Sequence, residues 1–201
     1  LNMSASRPLA DYDTVRKNAV KESFGALAGH SPRLTVYRNF PLADVEKLID
    51  WDMFYAAWQV GNAAAEKETL HNDALALLTE MRENVDLQGV TGTYRAEGRG
   101  DDIVLDLGDG TEYPLPMLRN QTEGEANVSL ADFVSADGED ITIFALTAGV
   151  GTNRFIEKCR AEGNDYWAII AKLLADRLAE AYADVICPAG SGCRAAFGYP
   201  T

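Results

Sequence analysis

Asp101-Asp102-Ile103-Val104-Leu105-Asp106-Leu107-Gly108-Asp109-Gly110-Thr111-Glu112-Tyr113-Pro114-Leu115 decides the fold class of this chain. Ile103, Leu105 and Leu107 fall on alternate positions, the period of a strand with one buried face. Asp109-Gly110 supplies the residue pair that tolerates a tight hairpin turn, and Thr111 to Leu115 reads as the return strand. Pro114 and Pro116 have no amide proton to give to a ladder, so this strand belongs at a sheet edge or at its exit. A hairpin of this kind joins antiparallel strands and needs no helical crossover.

Outward from the hairpin, Gly89 to Arg95 reads as a strand with Val90, Gly92 and Tyr94 on alternate positions. Leu130 to Phe133 forms a short element before a turn at Asp137-Gly138. Asp140 to Thr147 is apolar on both sides, which predicts a central strand. Leu34 to Tyr37 also alternates. Between these lie helical patterns. Asp11 to Ala28 is predicted helical, ended by Gly29 and Pro32. Pro41 to Asp44 opens a helix carrying Val45, Leu48 and Ile49, continued by an aromatic-rich, buried stretch from Trp51 to Val60. Glu66 to Asn84 places Leu70, Ala74, Leu77, Leu78 and Met81 on one stripe. Thr152 is the expected N-cap of a helix with Phe155, Ile156 and Cys159 inward. Asp165 is the expected cap of a last helix carrying Trp167, Ile170, Leu174, Leu178, Ala181, Tyr182 and Val185. Helices therefore frame antiparallel hairpins without regular strand–helix alternation, and the expected class is α+β.

The chain has 201 residues, enough for one large domain or two small ones, and its 47% hydrophobic content supports a real core. A net charge of −13 repels nucleic acid and anionic membranes, so neither is expected as a partner. No apolar run approaches the roughly 18 residues of a membrane span. Residues Leu1 to Asp11 show no charged start followed by an apolar run, so no signal peptide is expected and the expected location is cytoplasmic. The chain opens on Leu1 and reads as part of a longer protein. Cys187 and Cys193 are close enough to bridge, leaving Cys159 over, but a reducing compartment argues for thiols. His30 and His71 have no cysteine or acidic partner at ligand spacing, so no metal site is expected and both read as surface residues.

No phosphate-cradling glycine loop, nucleophile elbow or nucleophile–base pair is present, and no catalytic residue is expected. A binding constellation remains. In Arg194-Ala195-Ala196-Phe197-Gly198-Tyr199-Pro200-Thr201 an arginine fork stands four residues before a glycine. That pattern suits a ligand with a carboxylate at one end and a flat group at the other, or it is an ordinary terminal turn. Asp50 sits at a helix start between an aliphatic and an aromatic residue, where it is either partly buried and paired or a helix cap. Glu180 lies on the last helix one turn from Arg177, as a surface partner or a supporting ligand group. Trp51, Phe54, Trp58 and Tyr182 read as core, Asp101-Asp102 as a turn, and Gln121 to Glu123 as an ordered loop.

Five segments in order resemble the activation domain of cobalamin-dependent methionine synthase. They are Ile49-Asp50-Trp51-Asp52-Met53-Phe54-Tyr55-Ala56-Ala57-Trp58; Gly89-Val90-Thr91-Gly92 with Gly100-Asp101-Asp102-Ile103; Arg119-Asn120-Gln121-Thr122-Glu123 followed by Leu130-Ala131-Asp132-Phe133-Val134; Leu174 to Ala183; and Arg194 to Pro200. The resemblance implies a curved single α+β domain with a mainly antiparallel sheet flanked by helices. That domain would be residues 1–201, with 1–40 as a lead-in. It implies S-adenosylmethionine as ligand, contacted by Asp50 and Arg194, supported by Glu180, with Ala196, Gly198 and Tyr199 forming the backbone and aromatic part of the site. It implies reductive methylation of cob(II)alamin held on a partner domain or protein, with the electron from a flavodoxin-like reductase. The Asp-x-His-x-x-Gly cobalamin motif is absent, so cobalamin is not expected on this chain. Two departures stand out: only Cys187 to Cys193 separates the last helix from Arg194, and the chain stops at Thr201, where the family continues. The C-terminal part of the family domain is thus expected to be shortened, at a cost to affinity more than to fold. The alternative expectation is a non-catalytic scaffold of the same fold that docks on a corrinoid protein without binding S-adenosylmethionine; a stand-alone reactivator of another corrinoid methyltransferase is the third.

Overall fold

The computed structural model describes residues 8–19, 32–60, 64–187 and 194–195. The fold is α+β. Five strands, β1 (Arg33–Phe40), β2 (Asp86–Arg99), β3 (Asp102–Asp106), β4 (Glu112–Pro116) and β5 (Glu139–Val150), form one sheet in the order β1-β2-β3-β4, with β5 also paired to β2. The helices are α1 (Tyr12–Lys17), α2 (Leu42–Val45), α3 (Trp51–Trp58), α4 (Ala64–Asn84), α5 (Thr152–Ala161) and α6 (Asp165–Ile186), with 3-10 turns at Glu46–Leu48 and Leu130–Phe133. By packing, the chain divides into two compact units, one of residues 1–34, 92–143 and 194–201, the other of residues 35–91 and 144–193.

In the first unit the hairpin pairs as its sequence demands. β3 runs antiparallel to both neighbours, with Gly98 opposite Ile103 on one side and Leu115 opposite Ile103 on the other. Pro114 and Pro116 lie on β4, at the end of that strand order. The turn differs from the expected two-residue form. The Leu107 amide donates to the Thr111 carbonyl at 3.0 Å, so the loop proper is Gly108-Asp109-Gly110. Gly108 and Gly110 both hold φ near +83°, which a second non-glycine residue there would resist. The Asp106 and Asp109 carboxylates accept from the Gly108 and Thr111 amides at 2.8 and 2.9 Å and hold the loop shut. Ala96, Ile103, Leu105, Met117 and Ala131 make this unit's core.

The second unit is mainly helical. All five residues of the α4 stripe are buried, facing Phe155, Ile156 and Cys159 of α5 and Ile170, Leu174, Leu178, Ala181 and Tyr182 of α6 within one core cluster. The caps shift by one residue from expectation. Gly151, with φ +102°, precedes α5, because a Cβ there would lie 2.2 Å from the Asn84 carbonyl; Thr152 is instead the first helical residue and donates its hydroxyl to the Ala148 carbonyl. Asn164, not Asp165, caps α6 by accepting from the Trp167 amide at 3.2 Å.

Three further expectations are corrected. α1 ends at Lys17, capped at Asn18, short of the predicted helix to Ala28; residues 20–31 lie outside the described residues. The helix opened at Pro41 does not run into the aromatic stretch: it tightens into a 3-10 turn, Ile49 is extended (ψ 123°), and α3 starts afresh after Asp50. Of that stretch only Phe54 is fully buried; Trp51, Tyr55 and Trp58 are half-buried. β5 is not enclosed on both faces either: apart from Ala148 its residues are half-buried or exposed.

Candidate functional site

Asp50 is a helix cap. Its Oδ1 accepts from the Met53 amide at 3.0 Å, satisfying one orphan donor of the first turn of α3. It is exposed, which corrects the expectation of partial burial. The cap occupies one carboxylate oxygen. Oδ2 accepts no hydrogen bond among the described residues, so it can receive an ammonium or hydroxyl from a ligand while the cap stays intact.

The neighbours of Asp50 are tied to α4. The Trp51 ring meets the His71 ring at 4.3 Å between centroids, edge to face, and the Tyr55 hydroxyl lies 2.9 Å from His71 Nδ1. The Lys67 ammonium stands 5.4 Å over the Tyr55 ring. Burial, with Asp52 adding to it, pushes the Tyr55 hydroxyl up from its ordinary value. His71 is thus a half-buried member of an aromatic cluster, not the surface residue its sequence context predicts.

Glu180 is an exposed residue of α6, and α6 packs against α3, so the helices bearing Asp50 and Glu180 touch within one unit. Arg194 is exposed and belongs to the other unit. Ala196, Gly198 and Tyr199 lie outside the described residues, as do His30 and Cys193, and with Cys193 the choice between a bridge to Cys187 and two thiols.

The functional-looking residue that sequence reasoning missed is Arg119. Its side chain is 1% exposed. Nε and Nη2 donate to Asp101 Oδ1 at 3.0 and 2.9 Å; Nη1 and Nη2 donate to the Asp132 oxygens at 2.5 and 2.7 Å; Nη1 also donates to the Asn127 carbonyl at 2.6 Å. Asp101 is gripped again by Arg16 at 2.5 Å, and Asp132 closes a capping box with the Ser129 amide. All five guanidinium protons are used, so Arg119 has none left for a ligand carboxylate. Arg119, Asp101 and Asp132 stand in segments that carry the family resemblance, yet no spacing between them announces the pairing.

Among the described residues no group of three or more His, Cys, Asp or Glu is placed to hold a metal ion, and no helix is long and apolar enough to cross a membrane. An open, mainly apolar hollow of about 420 Å³ lies by Trp58, Leu70 and Tyr166. There the Tyr166 hydroxyl donates to Asp73 at 2.7 Å, and burial together with that carboxylate pushes it up to about 12.

The model of the family described as "Vitamin B12 dependent methionine synthase, activation domain" matches residues 41–199. The chain belongs to this family. Among solved structures the activation domain is similar to the one titled "Crystal Structure of the MetH Reactivation Domain bound to AdoHcy", with a TM-score of 0.78 and 27% identity. That match covers 89% of this chain and 62% of the solved one, so the chain spans less than two thirds of its neighbour's length. Asp50, Glu180 and the segment from Arg194 to Tyr199 all fall inside the stretch that the activation-domain family model matches.

Proposed function

We propose that this activation domain binds S-adenosylmethionine and presents its methyl group for the reductive methylation of cobalamin held on another domain or protein. The observation that carries the reading is the likeness to a reactivation domain whose title states that it is bound to AdoHcy, the product left when S-adenosylmethionine gives up its methyl group. Asp50 Oδ2, exposed and outside the cap bond, receives the ligand's ammonium or ribose hydroxyl. Arg194 offers a bidentate fork to the α-carboxylate, with Glu180 in support. Ala196, Gly198 and Tyr199 complete the adenosine side.

Cobalamin supplies the methyl acceptor. One electron, from a flavodoxin-like reductase, and the sulfonium methyl together return the oxidised cofactor to its methylated form and release S-adenosylhomocysteine. The sulfonium is already activated, so this chain's task is to orient it and exclude water, and no acid or base is required.

The test is transfer of label from methyl-labelled S-adenosylmethionine to a cobalamin-loaded corrinoid domain, with reduced flavodoxin present. Label on cobalamin that depends on this chain supports the reading. Equal labelling without the chain contradicts it.

A further inference from the structure

Resting on the S-adenosylmethionine reading, we infer that His71 is a positioning residue for the ligand site: it clamps Trp51 and Tyr55 and thereby fixes the roll of α3, which aims the Asp50 carboxylate.

The need for a clamp follows from the helix. α3 has eight residues and fully buries only Phe54, while Trp51, Tyr55 and Trp58 pack against the core half-buried, so what these rings rest on sets the rotation of the helix about its axis. A carboxylate roughly 6 Å from that axis moves about 1 Å for each 10° of roll, which exceeds the tolerance of a hydrogen bond. Asp50 is bonded within α3 itself, to the Met53 amide, so it follows any roll of the helix.

His71 is what two of these rings rest on. Trp51 and Tyr55 are one turn apart on the same face of α3. His71, from α4, packs its ring on Trp51 at 4.3 Å and bonds the Tyr55 hydroxyl through Nδ1 at 2.9 Å. The two contacts grip α3 one turn apart, at Trp51, next to Asp50 in sequence, and at Tyr55. α4 is a sound base, since Leu70 and Ala74, flanking His71, are buried at 3% and 0% exposure.

The experiment titrates wild type, Tyr55→Phe, His71→Phe and the double variant with S-adenosylmethionine at 25 °C, with thermal unfolding of each alongside. Tyr55→Phe removes one hydroxyl, and His71→Phe keeps a ring against Trp51. Each single change should raise Kd about three- to tenfold, the effect of one hydrogen bond. The double variant should lose no more than either single, because both remove the same bond. A Tyr55→Phe variant that binds like wild type, or losses that add in the double variant, would overturn the positioning role alone. No binding by the folded wild type would instead sink the S-adenosylmethionine reading, and this inference with it.

Discussion

Nη2 of Arg119 lies 2.9 Å from Oδ1 of Asp101, and both side chains are almost wholly enclosed, at 1% and 9% exposure. This pair, with Asp132 on the other side of the guanidinium, joins the turn before β3, the segment after β4 and the 3-10 turn at Leu130–Phe133. Replacing Arg119 with Met fills the volume but strands two buried carboxylates. Such a loss costs about 3–5 kcal/mol, read as a lower urea midpoint. Arg119→Lys should fall between, since an ammonium cannot serve both carboxylates and the Asn127 carbonyl with a planar fork.

The same cluster sets an acid limit. Burial pushes the Asp101 carboxyl up, but hydrogen bonds from Arg16 and Arg119 and their charges outweigh it, and the net direction is down from 3.8. A carboxyl depressed in the folded state contributes stability that is present above its unfolded value and lost as pH falls through its folded value. Unfolding free energy should therefore hold from neutral pH to about 4 and drop below that. Asp101→Asn should start less stable at pH 7 and lose less on acidification. Urea melts at stepped pH check both curves; parallel curves for the two proteins would contradict the assignment.

Gly98 allows β2 to pass close under the 3-10 turn. A Cβ there would stand 2.4 Å from the Val134 carbonyl oxygen and 2.6 Å from that of Ala131, both backbone atoms. Gly98→Ala should cost about 1–3 kcal/mol through forced backbone movement. An alanine variant as stable as wild type would show that the turn yields without strain.

Asp50 has two roles that substitution can separate. Asp50→Ala removes the α3 cap and should cost about 1 kcal/mol of stability, whatever it does to ligand. Asp50→Asn keeps an acceptor for the Met53 amide and should melt like wild type, since Asn caps as well as Asp. Only the charge toward the ligand is lost. Thermal melts of the two variants check the cap; Asn destabilising as much as Ala would contradict it.

What was legible in the sequence had a strong local period. The α4 stripe from Leu70 to Met81 reads correctly because one face of a long helix alone meets the core. The pairing of β3 with β4 reads correctly because alternation and an Asp-Gly pair agree. The loop width did not, since Gly108 adds a second residue with positive φ. Gly151 replaced Thr152 as cap because of the Asn84 carbonyl, a neighbour distant in sequence. The Arg119 cluster was invisible for the same reason: burial of its charges is a property of the folded arrangement, not of spacing. For the site, Asp50 was legible as a candidate, but its Ile49 and Trp51 flanks misled about burial, since Ile49 turns inward and leaves Asp50 outside.

Calorimetric titration with S-adenosylmethionine of the wild-type chain, Asp50→Asn and Arg194→Ala tests the central claim most directly. The account predicts saturable binding by wild type, weakened about ten- to a hundredfold in each folded variant, as expected for loss of a charge-assisted hydrogen bond. No binding by folded wild type up to millimolar ligand, or equal affinity in all three proteins, would contradict it.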